Sequence, residues 1–241
     1  MGSRHIFIIG LPRSGTTLTE RILGALPGVA SNGETNNLST ALLASAAPGP
    51  GDVFDRCARA DPAEVGRRYD ALASDGVDAA RIIEKLPMNY LYLGAIAQAL
   101  PGAAIVRVRR HPVDSCFAMF RTLFGEGYPF SYDFDDLAHY YAAYSRLMDH
   151  WSWRHPGRMI DLEYEALVAS PAEAAAGLAD RCALDWTDAA LDLSRNTAPS
   201  LTASAAQVRG GIYGDSSGLW RRYGQRLDPL VRALERQGVD L

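Results

Sequence analysis

Lysine is almost missing from this chain of 241 residues: Lys85 stands alone against 23 arginines. Cysteine is scarce as well. Cys57, Cys116 and Cys182 are odd in number and lack metal-type spacing, which excludes a disulfide framework and a zinc site and suits reduced thiols in a cytoplasmic protein. No apolar run approaches the roughly 18 residues that a spanning helix needs, so no membrane span is expected. A first strand from about residue 5 leaves no room for a charged region plus the apolar core of an export signal. Excess positive charge is missing too: the net charge of −4 argues against a nucleic-acid binder that relies on a broad basic face. His5, His111, His139, His150 and His155 are scattered without ligand spacing, and none is a candidate catalyst. There is no internal repeat.

What is there begins with Gly10-Leu11-Pro12-Arg13-Ser14-Gly15-Thr16-Thr17, directly after the apolar run Ile6–Ile9 and before an amphipathic helical stretch from about Leu18 to Leu26. The octapeptide keeps both glycines and the closing threonine of the phosphate-loop pattern G-x4-G-K-[ST], but Thr16 stands where the lysine belongs. Backbone N–H groups at the helix start still make an anion cradle. An anionic ligand is expected; ordinary ATP chemistry is not.

Further runs alternate in the same manner. Arg81–Glu84 and Ala103–Val108 read as strands, Leu91–Leu100 as a helix, Pro112 opens a helix to about Phe120, Leu137–Trp153 is a longer helix and Met159–Leu162 a further strand. Ala41–Asp52 reads as a helix end running into a Pro/Gly loop. Continuously apolar strands fit a sheet covered on both faces. The fold expected is α/β: a phosphate-loop-type, doubly wound, mostly parallel sheet flanked by helices, forming one domain over residues 1–241. In that topology the loops after Ile9 and Val108 face one ligand.

The strand at 103–108 ends in Arg107-Val108-Arg109-Arg110-His111, cationic where a Walker-type NTPase places a magnesium-holding aspartate. Arg107 and Arg109 read as outward-facing strand positions, and Arg110 as the candidate ligand of a second phosphate. Lys85 follows a strand directly. A compact ammonium kept at one place in an arginine-biased chain points to a need for a point charge there.

Six segments then carry a resemblance: Gly10–Thr17, Asn32-Gly33-Glu34-Thr35, Glu84-Lys85-Leu86-Pro87, Val108–Pro112, Glu163–Leu167 and Ser204-Ala205-Ala206-Gln207-Val208. In order and approximate spacing the chain resembles the sulfotransferases that use 3′-phosphoadenosine 5′-phosphosulfate. It looks most like the branch containing the protein-tyrosine sulfotransferases and bacterial sulfotransferases often fused to tetratricopeptide repeats, though it carries no such repeat. The resemblance implies that Arg13, Ser14, Gly15, Thr16 and Thr17 hold the 5′-phosphosulfate and that Arg110 grips the 3′-phosphate. It places Tyr164 beside the adenine, and Ser204, Gln207 and Val208 in a segment closing over the nucleotide. It also implies Glu34, 21 positions beyond Arg13, as general base, and Lys85 as catalytic lysine with Arg13 assisting.

Two positions depart from the family pattern. Ala118 replaces a serine that binds the 3′-phosphate, with Ser115 or Arg121 as possible substitutes; Leu219 replaces a basic residue before Trp220, for which Arg209, Arg221 or Arg222 could compensate. The reaction implied is in-line attack of an acceptor hydroxyl on sulfur, without a covalent intermediate and without a metal, releasing adenosine 3′,5′-bisphosphate. The alternatives are a nucleotide kinase or NTPase with a degenerate loop, and a nucleotide-binding protein without catalysis. A small-molecule, glycan or lipid acceptor is expected rather than a protein. Tyr140, Tyr141 and Tyr144 read as packing or rim residues. The aromatic stretch Phe124–Tyr132 reads equally as acceptor-pocket wall or packed surface loop.

Overall fold

The short apolar runs pair into one sheet because each is bounded by glycine, proline or polar turns and has both faces covered. The computed structural model describes residues 1–195 and 217–241. In it β1 (His5–Ile9), β2 (Val29–Ser31), β3 (Arg81–Glu84), β4 (Ala104–Arg109) and β5 (Met159–Glu163) lie in the order β2-β3-β1-β4-β5. Every pairing is parallel. The expected α/β, doubly wound class is therefore the observed one. From β1 the chain goes first to the edge strand β2, returns to β3 between β2 and β1, then crosses to β4 and β5 on the other side, so the switch point falls between β1 and β4. Their register, Ile6↔Ala104 through Ile9↔Arg107, sets the phosphate loop beside the arginine-rich strand end.

Strand alternation divides the core into two layers. Ile6 and Ile8 of β1 face one side with Ile83, Val106 and Val108. There they meet α1 (Thr16–Leu23), α8 (Tyr164–Ala169) and α9 (Pro171–Arg181). Phe7 and Ile9 face the other side. They meet α2 (Asn37–Ala44), α4 (Pro62–Ser74), α5 (Leu93–Ala99) and the Met148 side chain of α7 (Phe134–Arg154). The short α3 (Val53–Ala58) buries none of its side chains. A third cluster joins Leu11 to α6 (Pro112–Phe120), α7 and α10 (Asp228–Arg236) next to the phosphate loop.

Local sequence sets most helix starts. Pro62, Pro112 and Pro171 occupy first-turn positions of α4, α6 and α9, and Asp52, Asp61 and Asp133 accept first-turn N–H groups as caps. Boundaries differ from the sequence expectation where tertiary structure intervenes. The first helix starts at Thr16 and stops at Leu23, because Gly15 turns the chain into it and Gly24 ends it. The stretch read as a helix from Leu91 begins as a 3-10 turn over Pro87–Tyr92. β2, three residues at the sheet edge, and α4, α8, α9 and α10 carry no sequence assignment: their apolar stripes are short or built from alanine. Among the described residues no helix is long and apolar enough to cross a membrane.

Candidate active site

The phosphate loop leaves β1 at Gly10 and closes through the Ser14 N–H, which donates to the Leu11 carbonyl at 3.1 Å. Arg13 sits at φ 68, unusual for a residue with a side chain, and Gly15 at φ 109. Held strain of this kind belongs to a loop that must present consecutive N–H groups in one direction. Ser14 is 1% exposed, and its hydroxyl has no hydrogen-bond partner among the described residues. A buried orphan hydroxyl in an N–H-rich turn fits an anion that completes it. Glycine is required at position 15 twice over, because a Cβ there meets the Tyr164 ring as well as the positive φ. Gly15→Ala is expected to cost about 1–3 kcal/mol, read as a lower melting temperature, and to weaken nucleotide-anion binding in the same titration.

Arg110, the residue after β4, is 9% exposed and donates from Nη1 to the Arg13 carbonyl at 2.9 Å. Its guanidinium lies 4.7 Å over the centre of the Tyr164 ring. Burial pushes its pKa down, Tyr164, Asp114 and Glu165 resist, and Arg121 adds to the fall. The Arg13 guanidinium is pushed down in turn by burial and then by Arg110 and Arg121. Three mutually repelling cations held at one end of the sheet suit an anion as partner. Arg107 and Arg109 are committed elsewhere. Arg107 grips Asp161 with two bonds of 2.7 and 2.5 Å, and Arg109 pairs with Glu163 at 3.0 Å.

The end of β3 carries the second half of the site. Alternation turns Glu84 toward α4 and Lys85 toward α1. Lys85 is 0% exposed and its ammonium is hydrogen-bonded to Glu34 Oε1, with Glu20 Oε2 of α1 at 3.6 Å. The Glu34 side chain is 40% exposed, so an incoming group can reach it while the lysine stays covered. The neighbouring residues lock the same two segments: Thr35 donates to Glu84 Oε2 at 2.9 Å and Asn89 to Glu84 Oε1 at 2.8 Å. Burial raises the Glu84 pKa, against the pull of the Asn89 and Thr35 hydrogen bonds. The paired contacts Glu34–Lys85 and Thr35–Glu84 thus fix the loop after β2 against the end of β3, and sequence reasoning missed the second of them. A carboxylate directly before the sole lysine was the available signal.

The aromatic stretch belongs beside this carboxylate. The Tyr128 pKa is raised by burial and then by the charge of Glu34. Phe130 stacks on Tyr140, whose hydroxyl meets that of Tyr90. Tyr141 and Tyr144 instead line a cleft of about 750 Å3 that runs from Ser14, Arg110 and Ser115 across the β4 end.

At the two departures from the family pattern, Ala118 is buried in α6, Ser115 donates to the Arg110 carbonyl at 3.3 Å and Arg121 adds its charge to the arginine cluster. Leu219 packs into the third core cluster. Trp220 stacks on His111 at 5.5 Å between ring centres, with the Arg221 guanidinium 5.2 Å from its ring. Asp114 ties this segment to α6 by accepting from the Gly218 N–H at 2.6 Å and the Trp220 N–H at 3.3 Å. Ser204, Gln207, Val208 and Arg209 lie outside the described residues. Among the described residues no group of three or more His, Cys, Asp or Glu side chains is placed to hold a metal ion.

Fold and site define an α/β phosphate-loop protein whose loop has no lysine and whose clustered cations beside that loop are arginines. The family model described as "Sulfotransferase family" matches residues 5–188. An uncharacterized protein of Aquifex aeolicus (strain VF5) is 31% identical over 245 residues, covering 96% of this chain and 32% of that protein. The chain therefore spans about a third of the length of the curated relative it matches. The sulfotransferase domain from the curacin biosynthetic pathway superposes with a TM-score of 0.69 at 15% identity, over 98% of both chains. Retinol dehydratase, solved with androsterone and the inactive cofactor PAP, gives a TM-score of 0.51 at 15% identity, over 100% of this chain and 83% of the other. This chain belongs to the sulfotransferase family.

Proposed function

We propose that this protein moves a sulfuryl group from 3′-phosphoadenosine 5′-phosphosulfate to an acceptor hydroxyl, with Glu34 as general base and Lys85 and Arg13 as electrostatic catalysts. The observation that carries the reading is the pairing of the sole lysine, fully buried, with a half-open carboxylate in a protein whose phosphate loop lacks its own lysine. The Ser14 hydroxyl, unpartnered among the described residues, and the Arg13, Arg110 and Arg121 cluster fit a ligand with phosphate at both ends. The loop N–H groups, Ser14, Thr16 and Thr17 would hold the 5′ end, Arg110 the 3′-phosphate and Tyr164 the base. When bound, the donor supplies an activated sulfuryl group with a phosphate leaving group.

Glu34 accepts the acceptor's hydroxyl proton as its oxygen closes on sulfur, a contribution of roughly 10²–10⁴-fold for a well-placed base. Lys85 and Arg13 stabilise negative charge on the bridging and terminal oxygens, and positioning supplies the rest. Tyr128, which feels the charge of Glu34, and Phe130 beside it suit a small-molecule, glycan or lipid acceptor with an apolar face. The free thiols of Cys57, Cys116 and Cys182 suit a reducing compartment.

A melting experiment tests the donor half. Adenosine 3′,5′-bisphosphate at 100 times its Kd is expected to stabilise the fold by about 2.7 kcal/mol, while ATP with magnesium gives a small shift. Equal shifts overturn the reading in favour of an NTPase. Transfer of labelled sulfuryl from the donor to a panel of alcohols and phenols tests the other half, and bisphosphate binding without any transfer would leave a non-catalytic binder.

A further inference from the structure

Glu20 faces inward from the middle of α1 and is 8% exposed. Its Oε1 accepts the Ser31 hydroxyl at 2.6 Å and its Oε2 lies 3.6 Å from the Lys85 ammonium. The Ser31 oxygen accepts the Gly33 N–H at 3.1 Å, and the Gly33 carbonyl accepts the Lys85 N–H at 2.9 Å. A closed circuit therefore runs from the Glu34 loop through Ser31 and Glu20 to Lys85 and back to Glu34. It ties the base and the lysine to the helix that begins at the phosphate loop.

We propose that Glu20 is the standing counter-ion of Lys85, a positioning residue that keeps the lysine charged and in place while Glu34 gains and loses its proton. The inference rests on the sulfuryl-transfer reading above. In that step the acceptor oxygen forms its bond to sulfur, the bond from sulfur to the donor phosphate breaks with its electron pair leaving on phosphate, and the hydroxyl proton passes to Glu34. Glu34 is then neutral. Without Glu20, the fully buried ammonium would then be left as an uncompensated buried charge. Glu20 exchanges no proton in the cycle. Its charge stays beside Lys85 when that of Glu34 disappears, and Ser31 holds its carboxylate in register. Of the carboxylates near the ammonium, Glu34 comes from the loop after β2 and Glu20 from α1, while Glu84 on β3 itself is turned to the opposite face of the sheet.

The sequence provides a direct probe, since Lys85 is the only lysine. Protein grown with 13C,15N-lysine gives one side-chain resonance, which reports the charge of this one ammonium as pH is raised. Glu20→Gln keeps the shape of the side chain and removes its charge. The titration midpoint of Lys85 is expected to fall by about one pH unit or more relative to wild type. With transfer activity in hand, kcat is expected to fall about tenfold or more, while donor KM and bisphosphate affinity stay within about threefold. Glu20→Asp, whose carboxylate lies one methylene farther away, should fall between the two in both readouts.

An unchanged Lys85 midpoint in Glu20→Gln overturns the inference, as does a lowered midpoint accompanied by unchanged kcat. If Glu20→Gln does not fold, Glu20→Asp reads the same midpoint with a smaller expected drop, and no drop is again fatal. The resonance is measured without donor or acceptor. A wild type that transfers no sulfuryl group would therefore sink the proposed function, while the midpoint would still decide whether Glu20 holds the charge on Lys85.

Discussion

Glu34→Gln is expected to lower turnover at least ~100-fold while adenosine 3′,5′-bisphosphate still binds within a few-fold of wild type. The split follows from where the carboxylate lies. It sits on the loop between β2 and α2, bonded to Lys85 and open to solvent on its other side, whereas the arginine cluster belongs to the ends of β1 and β4. Glutamine preserves the volume and one acceptor oxygen for the ammonium but takes no proton. A nucleophilic hydroxyl attacking sulfur then keeps its proton until late, and the barrier rises without a change in donor contacts. Single-turnover rates with saturating donor, set beside bisphosphate titrations of the same protein, separate the two. A variant that turns over at the wild-type rate removes Glu34 from the mechanism. A variant that loses bisphosphate binding to the same extent as turnover shows the residue to be a structural support for the site.

Arg110→Met is expected to do the opposite: bisphosphate affinity falls about 10²-fold or more, corresponding to about 2.7 kcal/mol or more for loss of a buried charge partner, with chemistry on saturating donor changed far less. The side chain is nearly buried, its guanidinium is disfavoured by burial and by Arg121, and methionine retains much of the apolar stem while removing the guanidinium that lies over Tyr164. In the empty protein the variant loses the hydrogen bond to the Arg13 carbonyl and the cation–ring contact with Tyr164. The unliganded variant should therefore melt within a few degrees of wild type, while the shift given by bisphosphate nearly vanishes. Isothermal titration and melting curves check both signs together. Wild-type affinity in Arg110→Met would mean that Arg13 and Arg121 carry the phosphate without it.

The same residues explain what could be read from the chain. The lysine-less phosphate loop is legible because its turn is made by backbone conformation, and the glycines that turn requires leave a fixed local spacing. The strand pattern is legible for a similar reason: both faces of a parallel sheet are covered, so β1 and β4 read as unbroken apolar runs. The strand-end arginines were legible as a group but divided only in space. Arg107 and Arg109 meet Asp161 and Glu163 across the β4–β5 register, pairings between residues more than fifty positions apart. β2 and the alanine-rich α4 and α9 left little local trace, since their stability comes from the sheet edge and the faces they cover.

By itself the sequence determined the α/β class, the glycine-bounded turn after Ile9 and the singular standing of Lys85, because each is written in local spacing or composition. Only the tertiary structure decided which charges meet. Glu20, Glu34 and Lys85 come from a helix, a loop and a strand end, and Glu84 binds Thr35 from the far side of the same junction. Ion pairs act over a few ångströms regardless of chain separation, so their partners are fixed by the packing of β3 against β1 and β2 rather than by any run of neighbouring residues.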